Sequence, residues 1–184
     1  MVKIVSVFGS SAPQPGSLDF EQARMVGRLL AEDGFAVATG GYGGTMTAVS
    51  QGAAEAGGHV IGVASARIER YRGAGVNQWV NETHAYESLA ERLLHLVTNN
   101  VGMIALPGGI GTISEMALAW SLLQVGEVEP RPLALLGRIW RETMEAFFNP
   151  AYIKEKDMGL LFLAETAETA VAHVIQKNSS GGER

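Results

Sequence analysis

Three times in this chain an apolar run ends in glycine and hands over to a segment of helical periodicity: KIVSVFGS at 3–10, FAVATGGYGGT at 35–45 and VGMIALPGGIGT at 101–112. A β-branched run cut off by glycine fits a parallel strand buried on both faces, and parallel neighbours are joined only through long crossovers, usually helices. The helices are visible between the runs. Residues 19–33 carry Phe20, Ala23, Val26, Gly27, Leu30 and Ala31 at helical spacing before Gly34, and 45–56 is alanine-rich before Gly57 and Gly58. HVIGVA at 59–64 supplies a third strand. The order βαβαβ with short turns implies right-handed crossovers and an α/β, doubly wound, mostly parallel sheet with helices on both faces.

The rest of the chain extends the pattern. WVNET (79–83), VGMIAL (101–106), RPLALLG (131–137) and GLLFLA (159–164) read as strands, and 86–98, 112–124, 140–148 and 165–176 as helices, giving about six to seven strands. One domain over 1–177 is expected, with NSSGGER at 178–184 as a disordered tail. Residues 65–77, with Arg67, Arg70 and Arg72, read as irregular: either a loop over the site or a solvated surface segment.

Composition removes several classes of function. Charged residues make up 18% of the chain, the net charge is −5 and the 14 basic residues form no dense run, so neither nucleic acid nor a membrane is an expected partner. With no cysteine there is no disulfide, thiolate nucleophile or Cys-ligated metal. A cytoplasmic location is expected, and residues 1–8 are too short for a signal or a span. The partner expected is a small molecule.

In open α/β sheets ligands collect beyond the carboxyl ends of the strands. Three turns should meet there: Gly9, Ser10 and Ser11; Gly40, Gly41, Tyr42, Gly43, Gly44 and Thr45; and Pro107, Gly108, Gly109, Ile110, Gly111 and Thr112. The last belongs to PGGIGTISE (107–115). Its glycines can adopt angles closed to other residues and leave room for a ligand at the main chain. Thr112 is expected to open a helix whose first N–H groups, at the positive end of the dipole, suit an anion. Glu115, three residues on, has two readings: the partner of Thr112 in a capping box, or a carboxylate with a chemical task beside a bound phosphate. The preceding strand and glycines favour the second. Neither common nucleotide fingerprint is present. The chain has no lysine between Lys3 and Lys154, which excludes the P-loop lysine, and GSSAPQPGS departs from G-x-G-x-x-G.

The PGGIGTISE signature, the FGSS turn at 8–11 and GGYGGTM at 40–46 resemble the LOG (Lonely Guy) family, long labelled lysine decarboxylase-like. The resemblance runs over about residues 3–137. It implies a Rossmann-like fold, a homodimer or higher homo-oligomer, and hydrolysis of the N-glycosidic bond of a nucleoside 5′-monophosphate, such as AMP or a modified adenine nucleotide, to free base and ribose 5-phosphate. It also implies a functional arginine fifteen positions before the signature proline, here Arg92 in LAERLLHL. Leu89, Ala90, Leu93 and Ser114 depart from the family's usual residues, so the base is left open. Without the resemblance Arg92 reads as a surface arginine on a helix whose core side is Leu89, Leu93, Leu94 and Leu96. The decarboxylase label conflicts with the residues, because pyridoxal phosphate chemistry needs a Schiff-base lysine and the motif region has none.

The resulting expectation is specific. Glu115 steadies the oxocarbenium-like ribose or takes a proton from water, and Arg92 orients it or neutralises phosphate. Residues 109–112 hold the 5′-phosphate, with Gly41, Gly43, Gly44 and Thr45 opposite, while Ser10 and Ser11 meet ribose or base. No metal or cofactor is expected. Tyr42 is the stacking candidate, Trp120 and Trp140 read as core or interface, and His84 and His95 as structural or surface residues. MALAWSLLQV (116–125) suits either an interface or burial under the sheet. Two non-catalytic alternatives share the glycine turns: a carrier resembling molybdenum-cofactor carriers, and a nucleotide sensor.

Overall fold

The computed structural model of the protein describes residues 2–73 and 75–180. Its seven strands are β1 (Ile4–Phe8), β2 (Ala36–Thr39), β3 (Val60–Ser65), β4 (Glu82–Tyr86), β5 (Gly102–Ala105), β6 (Leu133–Leu136) and β7 (Leu161–Ala164). The helices are α1 (Leu18–Glu32), α2 (Thr45–Glu55), α3 (Ala66–Arg72), α4 (Leu89–Thr98), α5 (Ile110–Val125), α6 (Arg138–Phe147), α7 (Glu155–Met158) and α8 (Ala167–Ser180). All strand pairs are parallel, in the order β4-β3-β2-β1-β5-β6-β7. The expected doubly wound α/β sheet is therefore present, at the upper end of the expected strand count.

Alternation along each strand decides which helices cover which face. Val5 and Val7 of β1 pack with Phe20, Ala23, Val26 and Leu30 of α1, with Ala48, Val49 and Ala53 of α2, and with Ala170, Val171 and Val174 of α8. On the other face Met103 and Ala105 of β5 and Leu133 and Leu135 of β6 meet Leu96 of α4, Met116, Ala119 and Leu123 of α5, and Trp140 and Met144 of α6. The crossing of α1 and α2 depends on two glycines. A Cβ on Gly27 would lie 2.0 Å from the Val49 carbonyl oxygen, and one on Gly52 1.9 Å from that of Arg24.

The chain winds outward from β1 to the edge strand β4, then α4 carries it back so that β5 pairs with β1 on its other side. The order reverses between β1 and β5, and the turns after these strands flank the crevice where such sheets bind ligands.

Several elements depart from expectation, among them α4, which starts at Leu89 where a helix from 86 is expected, and α7, which the sequence pattern does not show. Residues 66–72 form α3 instead of an irregular segment. The edge strand begins at Glu82, three residues after the expected start, because its burial alternates and only one face is covered. The helix after β5 starts at Ile110, with Gly109 as its cap, two residues before Thr112. The closing helix runs to Ser180, so 178–180 extend it where a disordered tail was expected, and residues 181–184 lie outside the described ones. Among the described residues no helix is long and apolar enough to cross a membrane.

Candidate functional site

A cavity of about 390 Å³ opens beyond the carboxyl ends of β1 and β5. Its polar wall contains Ser10, Ser11, Arg92, Thr112, Ser114 and Glu115, and its apolar wall Tyr42, Met46, Ile68, Leu89 and Leu93. The volume lies within the range for small-molecule sites.

At its centre Arg92 of α4 donates from Nη1 to Oε1 of Glu115 of α5 at 3.0 Å, and from Nε to the Val63 carbonyl at 2.8 Å. The two side chains are only 6% and 7% exposed. Arg92 therefore lies on the buried side of α4 with Leu96 and Val97, whereas Leu89 and Leu94 are 45% and 47% exposed. The surface-arginine reading is overturned. A buried ion pair contributes little net stability, since desolvation offsets the attraction, but losing one partner costs about 3–5 kcal/mol. Such a pair in a cavity wall points to use of the charges.

The backbone makes room for it at Gly40. A Cβ there would stand 2.3 Å from Arg92 Nη2 and 2.6 Å from Met46 Sδ. Gly40 and the Val63 carbonyl are the two functional contacts that sequence reasoning missed. The doublet Gly40-Gly41 at the end of a strand is the available signal, of which only Gly41 is expected at the phosphate.

The signature loop works differently from its sequence-based reading. None of Gly108, Gly109 and Gly111 has a positive φ, so unusual backbone angles do not explain them. Gly108 is required by packing, because a Cβ would lie 2.1 Å from Thr112 Oγ1. Added Cβ atoms on Gly109 and Gly111 would meet nothing in the protein within 4 Å. These two glycines leave the main chain bare toward the cavity. The first intrahelical bond of α5 runs from Ile113 N–H to the Gly109 carbonyl, and no side chain caps the helix. The N–H groups of residues 110–112 consequently have no intrahelical partner and point from the positive end of a 16-residue helix. The capping box does not form. Gly109 is the cap, Thr112 is the third helical residue, and Glu115 reaches Arg92 instead.

The second glycine turn is corrected in role. Gly41 N–H donates to Thr39 Oγ1 at 2.9 Å, and Thr45 donates to the Ser10 carbonyl from both N–H (2.8 Å) and Oγ1 (3.0 Å). Those amides are hydrogen-bonded within the protein, and neither Gly41 nor Thr45 lines the cavity. Gly44, at φ 64°, lets this turn press onto the first one, since a Cβ would lie 2.3 Å from the Ser10 carbonyl oxygen. The contact fixes Ser10 and Ser11 at the cavity rim, and Ser10 Oγ accepts from Ala12 N–H at 3.1 Å. Gly43 is exposed and does not line the cavity. Tyr42 is buried, its hydroxyl oxygen accepting from Ser65 N–H at 2.8 Å, so it forms part of the wall and offers no open stacking face.

His84 and His95 belong to a separate cluster, with both His59 and His84 on the Glu82 carboxylate at 2.9 and 2.8 Å. Those bonds hold the Glu82 carboxyl below its ordinary range. Trp140 is core, donating to the Leu106 carbonyl beneath the signature loop at 3.1 Å.

Known proteins resemble this chain in both sequence and shape. A family described as "Possible lysine decarboxylase" matches residues 46–174. The probable cytokinin riboside 5′-monophosphate phosphoribohydrolase LOGL2 of Oryza sativa subsp. japonica is 31% identical over 124 residues, which cover 66% of this chain and 46% of the rice protein. The match thus spans about half the length of that relative. Among solved structures, TM1055 superposes with a TM-score of 0.75 at 26% identity, covering 95% of this chain and 99% of its own. The molybdenum cofactor carrier protein MCP of Chlamydomonas reinhardtii does so with a TM-score of 0.74 at 25% identity, covering 97% and 99%.

Proposed function

The chain belongs to the possible lysine decarboxylase family, the family of the LOG phosphoribohydrolases, and from that premise we propose that it hydrolyses the N-glycosidic bond of a nucleoside 5′-monophosphate, AMP or a modified adenine nucleotide. Water adds to C1′, the C1′–N bond breaks, and free base and ribose 5-phosphate leave. The observation that carries this reading is the buried Arg92–Glu115 pair in the cavity wall, little more than one helical turn beyond the bare amides of residues 110–112.

The roles follow from placement. The amides at the start of α5 hold the 5′-phosphate, and Thr112 packs under Gly108 to keep them in place. Holding the phosphate away from C1′ fixes the ribose against Glu115. Positive charge then develops on the ribose beside a carboxylate that Arg92 orients. The base lies toward Met46, Ile68, Leu89 and Leu93. Decarboxylation through pyridoxal phosphate has no support, because no lysine is among the described residues that line the cavity. A homodimer and a cytoplasmic setting complete the reading. The exposed Ile110 and Ile113 on α5, with Leu89 and Leu94 on α4, are the surface offered to a second copy.

A second reading, a carrier that binds a phosphorylated ligand without cleaving it, draws on the near-complete superposition with MCP. Incubation with a nucleotide panel, followed by chromatography of free bases, separates the two. Release of base from AMP or a modified AMP is expected. A bound but intact nucleotide throughout the panel would establish the carrier reading instead.

A further inference from the structure

We propose that the amino ends of the strands, opposite the Arg92–Glu115 cavity, form a second binding site for an organic di- or triphosphate. A cavity of about 750 Å³ lies there, lined by Lys3 before β1, Arg131 before β6, and His173 and Lys177 of α8, with Leu161 and Phe162 of β7 among its apolar walls. No Asp or Glu is among the described residues lining it. In a chain of net charge −5 that is a marked local inversion of sign.

Most arginines of the chain are paired with a carboxylate. Arg24, Arg28, Arg70, Arg92, Arg138 and Arg141 each sit within 4 Å of a carboxylate. Among the described residues Lys3, Arg131 and Lys177, like Arg67, Lys154 and Lys156, make no such pair, and the first three share one cavity. Hydrogen bonds hold Lys3 and Arg131 around it. Lys3 Nζ donates to the Asn178 carbonyl at 3.2 Å, the Asn178 amide donates to the Val101 carbonyl at 3.3 Å, and Arg131 donates to the Asn100 and Thr98 carbonyls. Like charges held together in a partly enclosed space with no carboxylate among its described lining residues raise the local concentration of anions.

The other wall specifies an organic group. His173 stacks flat on Phe162, with ring centroids 3.9 Å apart and planes 1° apart, beside Leu161. Cations on three separate elements suit more than one phosphate, and an apolar, aromatic wall suits what the phosphates are attached to. The site is remote from the first. Lys3 and Gly9 bracket β1, a separation of about 20 Å at roughly 3.3 Å per residue.

The test is calorimetric titration of the full chain with pyrophosphate and with ATP, at low and high salt. Wild type binds both, ATP more tightly, and binding weakens as salt rises. The exposed pair Lys3→Glu/Lys177→Glu loses at least about tenfold in affinity for either ligand. Lys3→Gln/Lys177→Gln shows a smaller loss and serves if charge reversal impairs folding. Gly111→Ala, at the start of α5, weakens the binding of AMP and retains that of pyrophosphate. Absence of binding at millimolar ligand would overturn the proposal. So would unchanged affinity in both lysine double variants, or loss of pyrophosphate binding confined to Gly111→Ala.

Discussion

Replacing Gly40 by alanine adds one methyl group where the structure has no space. The new Cβ would stand 2.3 Å from Arg92 Nη2 and 2.6 Å from Met46 Sδ, against about 3.5 Å for a normal contact, so the guanidinium must withdraw by roughly 1 Å. It cannot swing freely, because Nε is held by the Val63 carbonyl and Nη1 by Glu115. Gly40 does not have a positive φ, so alanine brings no backbone strain and the effect is that of overpacking, about 1–3 kcal/mol. Misplacing a catalytic constellation by 1 Å can cost on the order of a hundredfold in rate. Thermal unfolding and steady-state release of free base from nucleotide are the paired assays. Lower stability and a kcat reduced about a hundredfold are expected, with KM changed far less, since the amides of residues 110–112 are untouched. A variant as stable and as active as wild type would refute the packing of Arg92 against Gly40 and its importance for turnover.

Gly111→Ala should do the opposite to stability. The added methyl group meets nothing in the protein, and alanine favours the helix by up to about 1 kcal/mol, so unfolding should be unchanged or raised while calorimetry shows weaker nucleotide binding. Gly27→Ala, whose Cβ would lie 2.0 Å from the Val49 carbonyl, should destabilise by more than about 2 kcal/mol in denaturant titration and leave the turnover of folded molecules intact. Acid should weaken the fold through His95 and His173. Burial pushes both below the ordinary 6.5, helped by the charges of His84 and Lys177 respectively. The unfolded chain then binds protons more readily than the folded one. Stability is therefore full above about pH 6.5 and falls as the pH drops below it, a slope that urea midpoints across pH 5–7 should show and that His95→Gln/His173→Gln should reduce.

The sheet was legible because its central strands are buried on both faces and consist of uninterrupted apolar runs. The edge strand β4 was misplaced because ETHAY carries the mixed pattern of a half-covered edge. The roles of the glycines were harder to see. GGYGG and PGGIG look alike as strings, but in the first the Gly41 N–H goes to Thr39 and the N–H of Thr45, just after it, goes to the Ser10 carbonyl 35 residues away, a pairing that exists only once the strands are assembled. Arg92 illustrates the reverse case. Leucine spacing places it on the outside of α4, and only its distance from Pro107 pointed to the site. The structure sides with that spacing because Gly40 and Val63 create a polar slot in an otherwise apolar layer.

The central claim is that Glu115 acts on the ribose while the start of α5 holds the phosphate. Wild type and Glu115→Gln should be compared with the same nucleoside monophosphate, measuring binding by calorimetry and products by chromatography. Free base and ribose 5-phosphate in equal amounts are expected from wild type, and Glu115→Gln should bind within a fewfold of wild type but turn over at least about a hundredfold more slowly. Equal turnover by the two proteins, or an intact nucleotide bound by both, would contradict that claim.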